Sequence, residues 1–210
     1  LAIDIDISPK KVIYIGQPFK ELKHKLRRED NFFFRKYYQF LFVYRPFLIP
    51  KSNDLDLGYF KNNSRYKFLN ELWELNFNYK KTEFYSSLKV DIKEKSIVKR
   101  KHYILKSEDD LNNYCQRFVD LLKSIQRDGY NEEKAPGKVA VFIGPAGELV
   151  KESSGRHRLA AAQIVGLEKI PIRITHIHQE WIDSKLPNYK ELDSQTFKSK
   201  LSNIITDMIQ

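Results

Sequence analysis

Three cationic side chains stand in a row at Arg156-His157-Arg158, directly after Glu152-Ser153-Ser154-Gly155 and directly before Leu159-Ala160-Ala161-Ala162. A polar, glycine-bearing turn that opens an alanine-rich helix presents unpaired backbone N–H groups and a partial positive charge. Arg156, His157 and Arg158 add side-chain donors beside them. That combination holds anions, and a phosphate is the guest it suits. Ser153 or Ser154 could equally act as a plain N-cap. The alanines let the helix pack closely against a sheet and leave the bulky cations gathered at its start. Gly166 ends the helix, and a strand is expected over residues 170–177, entered near Pro171.

Phosphoryl transfer asks for cations to offset charge on the transferred group, a carboxylate for Mg²⁺ and a base near the acceptor. Arg156, His157 and Arg158 meet the first demand. Glu152 is the candidate for the second, ahead of Glu148 and Asp128, against the alternative of a solvated loop carboxylate. No base is identifiable from residue types alone. His176 and His178 lie two apart on the expected strand and share a face, so they could join His157 as metal ligands; the competing reading is a pair of hydrogen-bonded edge residues. Trp181 either lines a nucleotide or substrate pocket or covers the sheet edge as a packing residue.

The run Ser154-Gly155-Arg156-His157-Arg158, with its helix, resembles the Gly-x-x-Arg element of the ParB/sulfiredoxin-like superfamily, in its Gly-x-His-Arg branch. Leu122-Lys123-Ser124-Ile125-Gln126-Arg127-Asp128-Gly129-Tyr130 resembles the first box of that family, a helix end with a Ser-Ile pair and a terminating glycine. The likeness covers roughly residues 107–182. It implies an α/β fold, a small mixed sheet with flanking helices, preceded here by an N-terminal α+β extension. It also implies nucleotide-phosphate handling, with Ser124, Arg127, Ser153, Ser154, Gly155, Arg156, His157 and Arg158 as the phosphate-binding set and Glu152, His157 and Arg158 as the catalytic one. Arg156 stands where sulfinic-acid reductases of the family carry their cysteine and where the partition proteins carry a metal-holding glutamate, so neither chemistry is expected. Ser154 replaces an acidic residue found before the glycine, and Glu152 could substitute for it from two positions back. The expected function is therefore Mg²⁺-dependent phosphoryl transfer from a nucleotide (ATP, ADP or CTP) to a small-molecule acceptor, with Glu152 on the metal. A DNA-binding or nuclease role and a non-catalytic anion-binding or assembly module are the alternatives.

The elements that must position these residues are legible to differing degrees. Ser107-Glu108-Asp109-Asp110 has the form of a capping box. It opens a helix over 107–127 with Leu111, Tyr114, Cys115, Phe118, Leu121, Leu122 and Ile125 at three-to-four spacing, ending at Gly129. Val139 to Gly144 and Glu148 to Val150 read as two strands joined by Gly144-Pro145-Ala146-Gly147. Ile3, Ile5 and Ile7 alternate with Asp4 and Asp6 as in a strand, followed by another over 12–15. Residues 18–28 and 66–77 read as helices, and 80–106 as extended. A final amphipathic helix over 194–209 carries Phe197, Leu201, Ile204, Ile205 and Met208, and either closes the core or meets another subunit. The expected organisation is a basic, aromatic-rich region over 1–106, the ParB/sulfiredoxin-like module over 107–182 and a terminal helix over 183–210.

With 210 residues, 41% of them hydrophobic, the chain can bury a real core. Its single cysteine, Cys115, excludes an intrachain disulfide and a thiolate zinc cluster and fits a cytoplasmic location. No apolar run of membrane-spanning length occurs, so no membrane partner is expected. The formal net charge of +10 is concentrated in the first half: residues 1–110 hold 23 Lys and Arg against 15 Asp and Glu, and residues 111–210 hold 14 against 12. The clusters over 20–28 and 93–101 could bind a nucleic-acid backbone, or simply keep the surface soluble. The aromatic stretch over 31–45, interleaved with Arg35, Lys36 and Arg45, could stack bases but is expected to pack in the interior.

Overall fold

The alternation of Ile3, Ile5 and Ile7 with two aspartates becomes strand β1 (Ile3–Ile7), in which Ile3 and Ile7 are buried and Asp4 and Asp6 face solvent. The computed structural model of the protein describes residues 3–17, 47–52, 55–100, 102–131, 137–152 and 154–209. The helix expected over 18–28 and the aromatic stretch over 31–45 lie outside these residues. The chain forms mixed α/β structure in two compact units, one of residues 1–60, 138–155 and 168–210, the other of residues 61–137 and 156–167. Among the described residues no helix is long and apolar enough to cross a membrane.

The first unit is built on a mixed sheet. Its strands are β1, β2 (Tyr14–Ile15), β3 (Leu48–Ile49), β4 (Gly58–Tyr59), β7 (Val139–Ile143), β8 (Leu149–Lys151) and β9 (Ile170–His178), running in the order β1-β9-β7-β8-β2-β4 with β3 also on β9. β9 lies antiparallel to β1 and parallel to β7, while β7 and β8 form the expected antiparallel hairpin. All five residues of β7 are buried, as a continuous apolar run at the centre of a sheet should be. Its register with β9 slips between Val141 and Phe142, which pair with Ile174 and His176, leaving Thr175 as the extra residue of a β-bulge. Among the described residues, two helices complete the unit. The short α5 (Gln179–Lys185) buries Trp181 and Ile182, and α6 (Ser194–Ile209), which matches the sequence expectation, buries Leu201, Ile205 and Ile209. Asp193 caps α6 by accepting from the N–H groups of Gln195 and Thr196 at 2.9 and 3.0 Å.

The second unit is helical apart from one hairpin. α1 (Ser64–Glu74) is capped by Asn63, and it stops because Asn76 and Phe77 take left-handed backbone angles (φ 49° and 66°). α2 (Glu83–Lys95) corrects the extended conformation expected across 80–106. Thr82 caps it, and Tyr85 and Leu88 join Val98, Leu105, Leu111 and Cys115 in a core against which Phe84 and Ile92 pack. Phe84, Tyr85, Leu88 and Ile92 have helical spacing, and among the described residues of that range β5 (Val98–Arg100) and β6 (Tyr103–Leu105) are the extended segments. α3 (Glu108–Asp128) begins with a complete capping box between Ser107 and Asp110 and ends at Gly129 (φ 70°). α4 (Arg156–Val165) buries Leu159, Ala160, Ala161 and Ala162 and packs against α1 and α3. Gly166 (φ 83°) closes it, with the N–H groups of Gly166 and Leu167 both donating to the Ala162 carbonyl.

Candidate functional site

The turn before α4 is held by a buried lysine. Lys151 ends β8 with its side chain fully covered, and its ammonium donates to the carbonyls of Ala140 (2.7 Å), Glu152 (3.1 Å) and Ser154. Three carbonyls match the three N–H bonds of an ammonium, which is how a buried lysine keeps its charge. They also fix the backbone on either side of residue 153. Ser153 itself lies outside the described residues. Gly155 then has to be glycine on two counts: its φ is 80°, and a Cβ there would stand 3.2 Å from Val139 Cα. Helix α4 starts at the next residue.

Of Arg156, His157 and Arg158 at the start of α4, Arg158 faces a cleft. Arg158 lines a cavity of about 190 Å³ together with Leu121, Ser124, Ile125, Gly129, Tyr130 and Asn131. Its guanidinium lies over the Tyr130 ring, 5.6 Å from the centroid, a cation–π distance. The apolar floor from α3, the tyrosine ring and the hydroxyl, amide and guanidinium groups at the rim suit a planar or anionic small molecule. His157 turns to α3, its ring 5.1 Å from that of Phe118. Arg156 is half-buried. The row of cations therefore splits: Arg158 borders the cleft while His157 packs on an aromatic.

Ser124, expected in the phosphate-binding set, is on the cleft wall, and its hydroxyl donates to Asp128 at 3.4 Å. Arg127 points elsewhere. It is exposed and grips the Asp128 carboxylate in a two-pronged pair, Nε and Nη2 each at 2.8 Å. Asp128 is thus engaged by two of its neighbours.

Glu152, the candidate metal carboxylate, accepts a hydrogen bond from Thr175 Oγ1 at 2.8 Å, and His176 Nδ1 lies 3.9 Å from the same oxygen; Glu152 and His176 side chains are each 12% exposed. The β-bulge sets up this arrangement by bringing Thr175 Oγ1 within 3.0 Å of both the Val141 carbonyl and His176 Nδ1. The hydroxyl has a single hydrogen, and the carboxylate is its strongest available acceptor. Glu148 has a local task, accepting from the Ala146 N–H within the hairpin turn at 2.9 Å. His178 is buried, caps α5 by accepting from the Glu180 N–H, and burial pushes its pKa down. Among the described residues no three His, Cys, Asp or Glu side chains converge to hold a metal. Trp181 is buried against the hairpin, its indole nitrogen 2.9 Å from where a Cβ on Gly147 would stand.

Residue spacing did not reveal Tyr130, Asn131, Thr175 or Lys151 as parts of these clusters. For Lys151 a signal existed: it sits on a strand with Leu149 and Val150, in a position where a cation has nowhere to go but inward. No family model matches this sequence, and the characterised proteins and solved structures compared with it give no match either.

Proposed function

We propose that the protein binds a nucleotide through its phosphates at the start of α4 and transfers a phosphoryl group to a small-molecule acceptor, in a module of the ParB/sulfiredoxin-like kind. The observation that carries this reading is the placement of Arg158: a guanidinium in the first turn of a helix, bordering a cleft of about 190 Å³ and backed by an aromatic ring. The first turn supplies N–H donors and a positive dipole end, Arg158 supplies a fixed charge with two parallel donors, and Tyr130 offers a flat surface. Arg158, Tyr130 and the end of α3 stand together without a ligand, so little ordering entropy is lost when one binds.

Magnesium fits this reading in a limited form. Mg²⁺ is commonly held by one or two carboxylates together with substrate phosphates and water, and Glu152 is the carboxylate that would take that place. Thr175 orients the Glu152 carboxylate through its hydrogen bond. Arg158 would offset charge on the transferred group by direct hydrogen bonds.

The test is thermal unfolding in the presence of ATP, ADP, CTP or GTP with Mg²⁺, on the native protein and on Arg158→Ala. At ligand concentrations a hundred times Kd, binding adds about 2.7 kcal/mol to the stability of the folded state. The expected result is stabilisation by at least one nucleotide, absent in the variant. Failure of every nucleotide to raise the Tm would overturn the reading. Binding without any phosphate release or transfer would reduce the function to anion binding.

A further inference from the structure

We propose that the outer face of α2 is an interface for the phosphate backbone of a single nucleic-acid strand. Ser86, Lys89, Val90 and Lys93 recur at the three-and-four spacing that places residues on one helix face. With Lys80 from the turn before α2 and Glu108 from the start of α3 they line an open groove of about 380 Å³. This interface is separate from the Arg158 cleft and does not rest on the nucleotide reading.

Charge in the groove does not cancel. Glu108 is taken by Lys89, 2.8 Å away, and by the Tyr85 hydroxyl at 3.0 Å, so one carboxylate is matched to one lysine. Lys80 and Lys93 are exposed and make no ion pair among the described residues. The surrounding chain has the same sign: residues 80–101 hold eight Lys and Arg against three Asp and Glu. On β5, which packs against α2, Lys99 is exposed as well. A concentration of lysines over a concave surface attracts a polyanion and releases its counterions.

The shape and lining choose among polyanions. Lys89 and Lys93 are one helical turn apart, about 6 Å along the axis, so a chain laid in the groove meets a cation at each turn. A duplex is convex and would ride over so small a groove, whereas one sugar-phosphate chain fits within it. Among the described residues the cations lining the groove are lysines, whose ammonium groups act as point charges toward phosphates and lack the planar fork of Arg, Asn or Gln, so binding is expected to depend little on sequence.

The experiment is fluorescence anisotropy of labelled dT20, of a mixed-sequence single strand and of a 20-base-pair duplex, from about 50 to 300 mM salt. Lys80 and Lys93 on single-stranded phosphates, with Lys89 held by Glu108, predict a log–log salt slope of about −1.4. Lys80→Gln with Lys93→Gln, which removes the two charges lacking ion pairs, should weaken dT20 binding about tenfold and bring the slope close to zero. Lys198→Gln with Lys200→Gln on α6 should leave both unchanged, and all variants should keep the native Tm. Equal affinity for the two single strands and weaker binding of the duplex would support the proposal. The proposal fails if dT20 does not bind at the lowest salt, or if the α6 variant loses as much as the α2 variant. Polyglutamate or anionic phosphatidylserine vesicles binding as tightly as dT20 at matched charge would also overturn it.

Discussion

Gly155 approaches the Val139 backbone so closely that a Cβ on residue 155 would stand 3.2 Å from Val139 Cα, in a residue whose φ of 80° already disfavours any side chain. A sheet strand and the turn into α4 therefore meet at a point where a side chain would press on the strand backbone as well as strain its own. Gly155→Ala should cost about 1–3 kcal/mol of stability, read as a lower midpoint in urea unfolding, and should weaken nucleotide binding even where the protein stays folded. A variant as stable as the native protein would show that the turn relaxes freely.

Lys151→Met keeps the length and apolar stem of the side chain but removes the ammonium, leaving the Ala140, Glu152 and Ser154 carbonyls without that donor. A loss on the order of 3 kcal/mol follows from stranding buried acceptors. Urea unfolding measures it, and hydrogen exchange should show faster opening at residues 152–155 than elsewhere in the sheet.

Asp4 is hydrogen-bonded to the Arg173 guanidinium at 2.8 and 3.0 Å, with Lys138 at 3.1 Å, and these cations, Arg173 first, hold its carboxyl at about 2. A carboxyl whose folded pKa lies below its unfolded one stabilises the fold fully above the unfolded value and stops doing so as pH falls through the folded value. The stability difference between native protein and Asp4→Asn should therefore be constant above about pH 5 and shrink progressively from there toward pH 2. A difference that persists unchanged at pH 2 would show that the pair contributes no charge-dependent stability.

Burial alone pushes the Cys115 thiol up to about 12, and the side chain has no exposed surface. Since the thiolate is the reactive form, a disulfide reagent at pH 8 should leave Cys115 untouched in native protein and label it at once in 6 M guanidinium chloride. Labelling of the native protein at a rate comparable to that of the unfolded chain would contradict the buried position.

Local rules carried much of the architecture. The Ser107 capping box, the stop at Gly129, the 144–147 turn between two strands and the last helix all follow from residues within a few positions of one another, and each stands where spacing placed it. α2 shows the limit of that reasoning, because its apolar stripe became recognisable as a core face only when Val98, Leu105 and Leu111 were there to cover it. The candidate site divides in the same way. Gly155 and the helix it precedes were legible as a turn and an anion-friendly start.

Which cation serves the cleft could not be read from Arg156-His157-Arg158 as a string, since consecutive helical residues point about 100° apart and any of the three might have faced outward. Packing settled it: Phe118 takes His157, Tyr130 and the end of α3 leave Arg158 at the rim, and Arg127 is drawn to Asp128. Sequence by itself determined the elements bounded by strong local signals, such as α3, the β7–β8 hairpin and α6, because capping and turn chemistry act over three or four residues. Only the tertiary structure decided which side chains share a space, because that depends on contacts between segments far apart in the chain, such as Asp4 with Arg173 or Val141 with Thr175.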